Sequence, residues 1–116
     1  MNRFSFGRQD RVRQQGEFDR VFGAKTYATD RVLVVRGREN GLDRSRLGLS
    51  VSRKVGGAVV RNRWKRLIRE VFRTERSKVP RGFDFVVLPR RGALPNFKAI
   101  RESLPKLARK IADQQK

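Results

Sequence analysis

Gly48-Leu49-Ser50-Val51-Ser52-Arg53-Lys54-Val55-Gly56-Gly57-Ala58-Val59-Val60-Arg61-Asn62-Arg63-Trp64-Lys65-Arg66-Leu67-Ile68-Arg69 joins an alternating apolar strand to a glycine turn and a basic helix. From Arg53 to Arg73 there are eight basic residues (Arg53, Lys54, Arg61, Arg63, Lys65, Arg66, Arg69 and Arg73) and one acid, Glu70. The helix is predicted over 58–74. Val60, Trp64, Leu67, Ile68 and Val71 recur at three- and four-residue spacing and form its apolar stripe. Trp64 could stack on a base, but its place on that stripe assigns it to the core. Arg61, Lys65, Arg69 and Arg73 form a ridge expected on the opposite side, with Asn62 and Arg66 beside it. Like charges one turn apart cost roughly 0.2–0.5 kcal/mol per pair on a free helix, and solvated faces usually mix signs. A single-signed face is therefore read as an anion-binding surface. Arginine suits this use because its planar guanidinium engages phosphate through two donors at once. Lys54 and Gly56-Gly57, just before the helix, add a candidate backbone anion site at its N-terminus.

Outward from this stretch, Leu47, Leu49 and Val51 alternate with Gly48, Ser50 and Ser52, a half-buried strand expected antiparallel to the one before it. That earlier strand spans 31–38, with the continuous run Val32-Leu33-Val34-Val35, and Asn40-Gly41 marks the turn between them. After the helix, Phe83 to Leu88 is a short apolar strand stopped by Pro89. The strands at 47–52 and 83–88 then enclose the central helix as a β-α-β unit. A first helix is predicted over 16–22, with Gly16 able to cap it and Phe18, Val21 and Phe22 on one face. In the last helix Asn96 is the cap, Phe97, Ile100, Leu104, Leu107 and Ile111 form the stripe, and Pro105 predicts a kink or break near Leu104. The fold class is α+β, a small two-layer α/β sandwich of order α-β-β-α-β-α on a mixed sheet. There is room for one more short strand near 25–29. The domain reading is a basic arm over 1–13, mobile when unbound, one RNA-binding domain over 14–112, and a frayed tail over 113–116.

Composition narrows the chemistry. The 116 residues carry 30 Lys and Arg against 11 Asp and Glu, a formal net charge of +19, which attracts polyanions, nucleic acid first. Neither cysteine nor histidine occurs, which removes disulfides, thiolate or imidazole metal sites and the usual general base. The acids are scattered and match no metal-nuclease or triad pattern. No catalytic residue and no metal ligand is assigned, and the polypeptide alone is expected to be non-catalytic. No apolar run approaches a membrane span, and the first residues lack a signal-peptide core. The expected setting is cytoplasmic, with no membrane partner and no small-molecule substrate. Phe18 and Phe22 near Arg20 supply the aromatic and cationic faces that single-stranded nucleic acid uses.

The stretch from Ala58 to Arg73, with Arg61-Asn62-Arg63 at its core, resembles the signature helix of the bacterial ribonuclease P protein subunit. Gly48 to Gly56 matches the strand leading into it, and Glu17-Phe18-Asp19-Arg20-Val21-Phe22 resembles the family's first helix. The likeness covers roughly residues 10–111. It implies a small basic partner of a catalytic RNA that removes the 5′ leader of precursor tRNA, with RNA and Mg²⁺ performing the hydrolysis. It further implies that Arg53, Lys54, Arg61, Asn62, Arg63, Lys65, Arg66 and Arg69 face ribonuclease P RNA. Arg13, Phe18, Phe22 and Arg36 would contact the leader of precursor tRNA. No cofactor is expected for the protein alone, Mg²⁺ being held mainly by RNA. A left-handed β-α-β crossover is implied too, against the usual rule. Two departures stand out: the strand at 31–38 lacks the aromatic often found there, with Arg36 in its place, and Pro105 is atypical. The alternative reading is a generic structural RNA-binding protein of the ribosomal-protein type.

Overall fold

The computed structural model describes residues 7–115. Its order is α1 (Gln15–Gly23), β1 (Tyr27–Thr29), β2 (Leu33–Glu39), β3 (Arg46–Leu49), α2 (Ala58–Thr74), β4 (Phe83–Pro89) and α3 (Phe97–Gln114). The central helix has the predicted bounds, and the short strand near 25–29 is β1. The four strands form one mixed sheet in the order β1-β2-β4-β3. β4 lies between β2 and β3, antiparallel to the first and parallel to the second. β3 thus runs antiparallel to β2, as predicted, without pairing with it. Asn40-Gly41 is accordingly a crossing loop and not a hairpin turn: Asn40 donates its backbone N–H to Gly82 O (2.9 Å) and its side-chain amide to Asp84 Oδ1 (2.9 Å). Alternation specified the face of the strand at 47–52, while the neighbour of each strand depended on the crossover through α2.

One sheet face carries Leu33, Val35, Leu47, Phe85 and Val87, which are buried with Trp64, Ile68, Val71 and Phe72 of α2 and Ile100, Leu104, Leu107 and Ile111 of α3. α1 lies on the other face: a Cβ built on Gly48 would meet the Phe18 ring at 3.0 Å, whereas one on Gly37, whose side points oppositely, would meet Ile111 at 2.7 Å. The stripe of α2 is corrected at its start. Val60 is 36% exposed and Phe72 takes part in the core instead. Val60 rests on Gly56, where a Cβ would come within 2.9 Å and where φ is +149°, so glycine is required there. Phe97 is likewise 36% exposed, with the Arg101 guanidinium 6.0 Å from its ring centroid.

α3 runs unbroken through Pro105, against the expected break. Proline removes one helix bond, to the Arg101 carbonyl. Ile100 and Leu104 before it, and Leu107, Ala108 and Ile111 after it, are all buried and hold both halves to the sheet. Asn96 caps α3 as predicted, its Oδ1 accepting the Ala99 N–H at 3.0 Å. α1 instead starts one residue earlier than predicted, after Gln14 and not Gly16: Glu17 Oε1 accepts the backbone N–H of Arg13 (3.0 Å) and Gln14 (3.1 Å). Of the segment read as a basic arm, residues 1–6 lie outside the described residues. Arg8–Asp10 forms a short 3-10 turn, and Val12 is buried and donates its N–H to Leu47 O at 3.0 Å on the free edge of β3. At the other end Gln114 and Gln115 donate side-chain hydrogen bonds to Tyr27 O and Thr26 Oγ1.

Candidate nucleic-acid interface

Glu17, in the first turn of α1, accepts a hydrogen bond from Arg46 Nη1 through Oε2 at 2.8 Å while capping its own helix. Arg46, on β3, grips Asp84 of β4 with a two-pronged contact, Nε to Oδ1 at 2.7 Å and Nη2 to Oδ2 at 2.6 Å. The three side chains, each mostly buried, tie the start of α1 to two strands. Sequence reading did not find them, since an Arg, an Asp and a Glu far apart in the chain carry no local signal. The Arg13 and Gln14 amides, with Arg46, hold the Glu17 carboxyl below the usual glutamate range. Hydrogen bonds to Asp84, then Glu17, raise the Arg46 pKa against the opposing effect of burial. At Asp30 burial opposes ionisation. Hydrogen bonds from Ser103 and the Leu33 and Val32 amides, with Lys106 nearby, outweigh it and lower the carboxyl pKa.

The sign of the consequence follows. A carboxyl whose folded pKa lies below its unfolded one contributes stability in full above the unfolded value and loses it as pH falls through the folded value. Stability should therefore stay flat from about pH 7 to about pH 5 and drop below that. Glu17→Gln should be less stable at neutral pH and show a shallower acid limb. Chemical denaturation at a series of pH values measures both, and an acid limb unchanged by Glu17→Gln would contradict the assignment to this carboxyl.

With α1 anchored on that side, Phe18 and Phe22 project from it toward the rest of the sheet face. Phe18 lies over Gly48, and only glycine leaves room for the ring there. Beyond the β3 edge the ring shares a groove with Arg11, Val12, Arg13, Leu47, Leu49, Lys65 and Arg69. Lys65 and Arg69 also line a second depression on the outside of α2, with Asn62, Arg66, Glu70 and Arg73. The two hollows thus share one cationic rim. The ridge of α2 is corrected in its direction: Arg61 and Lys65 are half-buried beside the core stripe, not opposite it. The Arg61 Nε is buried with no hydrogen-bond partner among the described residues. Glu70 pairs with Arg73, so the depression holds one acid already occupied.

Across the sheet, Gly48, Val86, Arg36 and Tyr27 occupy one row from β3 to β1. Arg36 lies with its guanidinium carbon 5.4 Å from the Phe22 ring centroid and 5.7 Å from that of Tyr27. Beside α1 the next row, Ser50, Leu88 and Val34, is only half-covered and gives the face an open floor. The structure therefore brings Arg13 and Phe18 together with Lys65 and Arg69, and Phe22 together with Arg36. Arg63 lines neither hollow, and Arg53 and Lys54 sit on an exposed 3-10 turn capped by Ser52 ahead of α2. Trp64 is wholly buried, as its place in the stripe predicted. Tyr27, Arg11 and Val12 were missed; Tyr27 stood in a short edge strand with no periodicity to flag it. Among the described residues no three His, Cys, Asp or Glu side chains converge as metal ligands would. No helix among those residues is long and apolar enough to cross a membrane.

A family model described as Ribonuclease P matches residues 6–112. The ribonuclease P protein component of Thermotoga sp. (strain RQ2) is 41% identical over 112 residues, which cover 92% of this chain and 96% of that relative. That of Bacillus pumilus (strain SAFR-032) is 38% identical over 107 residues, covering 90% of each. The solved RNase P protein from Thermotoga maritima matches with a TM-score of 0.77 at 37% identity, over 86% of this chain and 96% of that one. The Staphylococcus aureus RNase P protein gives 0.76 at 35%, over 89% and 94%. The match runs over nearly the whole length of these relatives, in sequence and in fold, and the chain belongs to the ribonuclease P protein family.

Proposed function

We propose that this subunit of ribonuclease P binds the catalytic RNA through the outer side of α2 and the turn before it, and holds the 5′ leader of precursor tRNA in the groove beside α1. Arg53, Lys54, Arg61, Asn62, Arg63, Lys65, Arg66 and Arg69 face the RNA; Arg13, Phe18, Phe22 and Arg36 face the leader. One observation carries the reading: Phe18 shares its groove with Lys65 and Arg69 of the basic helix. A single strand leaving an RNA bound on α2 enters a channel with cations on one wall and aromatic rings on the other. Base stacking on such rings contributes about 1–3 kcal/mol per base and is tolerant of sequence, which suits leaders of differing sequence.

The protein's part is electrostatic and positional. RNA phosphates and the leader repel one another, and the cationic surface between them lowers that repulsion. Mg²⁺ supplies the metal chemistry of the holoenzyme and is held by RNA in this reading. The protein's own acids do not suit a metal site: Asp84 and Glu17 are engaged by Arg46, and Asp10 by Arg76. The reading places the protein in the cytoplasm with its RNA.

The test is cleavage of precursor tRNA by a bacterial ribonuclease P RNA at low Mg²⁺, with and without the protein. Stimulation at the mature 5′ end is expected only when both are present. Phe18→Ala should leave assembly with the RNA intact and weaken binding of precursor over mature tRNA by about tenfold, in the lower half of the stacking range. Equal loss for precursor and mature tRNA would overturn the groove assignment.

A further inference from the structure

Among the described residues, Tyr27 is the one aromatic on the α1 face of the sheet that the groove reading leaves without a role. It stands on β1, the edge strand farthest from α2, and more than half of its surface is open, at 53%. Its direct cross-strand partner is Arg36. The Arg36 guanidinium lies within 6 Å of two ring centroids, Phe22 at 5.4 Å and Tyr27 at 5.7 Å. A guanidinium placed against two rings is attracted to both. Little further side-chain ordering is then needed when it meets a ligand. Such a group has its planar edge of donors available to a phosphate, while the open surface of Tyr27 is available to a base.

The row from Gly48 to Tyr27 crosses three interstrand steps, about 14 Å at the usual strand spacing. Phe18 marks its near end, beside Lys65 and Arg69, Phe22 with Arg36 lies farther along it, and Tyr27 marks its far end. We infer that Tyr27, with Arg36, is the distal binding site of the groove, stacking a leader nucleotide farther from the cleavage point than those at Phe18 and Phe22. The inference rests on the leader reading above and extends it: the length of leader that this protein senses is set by the reach to β1. An exposed tyrosine is also simply a good strand residue, and the test separates these roles.

Holoenzyme assembled from a bacterial ribonuclease P RNA with wild-type protein, Tyr27→Val, Tyr27→Phe or Phe18→Ala is titrated with mature tRNA and with precursors of stepwise longer leader. Valine retains strand propensity and removes the ring; phenylalanine retains the ring. With wild-type protein, affinity should rise with leader length and then level off. Tyr27→Val should level off at a shorter leader and bind the longest precursors about tenfold more weakly, with mature tRNA and the shortest leaders unchanged. Tyr27→Phe should follow wild type, and Phe18→Ala should already lose affinity at short leaders. If Phe18→Ala is leader-dependent and Tyr27→Val is not, the distal site is overturned and the groove stands. If neither depends on the leader, the groove reading itself falls. A Tyr27→Val loss equal for mature and precursor tRNA, or a lowered melting temperature that Tyr27→Phe does not share, would assign Tyr27 to the fold alone.

Discussion

Replacing Arg46 by alanine is expected to lower the thermal unfolding midpoint by about 10–15 °C. The residue is linked by hydrogen bonds to Asp84 and Glu17, which join β3, β4 and the first turn of α1. Its removal leaves two mostly buried carboxylates without their cation. Breaking a buried pair from one side typically costs 3–5 kcal/mol, because the remaining charge stays desolvated. Arg46 keeps 19% of its side chain exposed, so water can reach part of the gap, and about 3 kcal/mol is the appropriate figure. In a domain of this size each kcal/mol shifts the midpoint by about 4 °C. The cost should be asymmetric: Arg46→Met combined with Glu17→Gln and Asp84→Asn removes the stranded charges and should recover much of the loss. Thermal denaturation of both variants decides it. A midpoint within two or three degrees of wild type for Arg46→Ala would show that the triad contributes little. Because Glu17 also caps α1, the surviving fold of Arg46→Ala should hold Phe18 and Phe22 less firmly and discriminate less between precursor and mature tRNA.

The second large effect concerns the arginines of α2. The triple variant Arg61→Ala/Arg66→Ala/Arg69→Ala should bind ribonuclease P RNA about a thousandfold more weakly near physiological salt. Charge-assisted hydrogen bonds contribute about 1.5 kcal/mol or more each, roughly tenfold per arginine. The salt dependence is the sharper readout. If each side chain neutralises one phosphate, the slope of log K against log salt should become shallower by about 2–3. The corresponding lysine variant keeps the charges and should keep the slope, while losing affinity wherever a two-pronged contact was made. A slope unchanged in the alanine variant would place the RNA elsewhere on the molecule. Removing like charges from one helix should not destabilise it, apart from the packing lost at half-buried Arg61.

The basic helix was legible because it is a local object. Seventeen residues from Ala58 to Thr74 carry their own stripe and their own charge pattern, and the glycine turn at Gly56-Gly57 marked where they begin. The groove was legible only in fragments. Phe18 and Phe22 stood out as aromatics on a short helix, but nothing in the chain showed that Phe18 would meet Lys65 and Arg69. Nor did it show that Phe22 would share Arg36 with Tyr27. Local pattern also misplaced Val60 and Phe97 in the core, since a stripe specifies a helix face and not how far a neighbouring sheet extends along it. Pro105 was read as a break because propensity describes an isolated helix, while burial on both sides of the proline carried α3 through.

Element type, the charge of α2 and the resemblance to ribonuclease P proteins were thus determined by the sequence itself, because each depends on residues within one or two turns or along one strand. The tertiary structure decided what lies next to what. β4 entered between β2 and β3 and placed Arg46 beside Asp84. It also aligned Gly48, Val86, Arg36 and Tyr27 in one row, and α1 settled on the face that α2 and α3 leave open. Those choices rest on contacts between different elements of the chain, such as Arg46 with Asp84 and Arg36 with Val86, whose energies depend on the whole packed arrangement and leave no periodic trace in the chain.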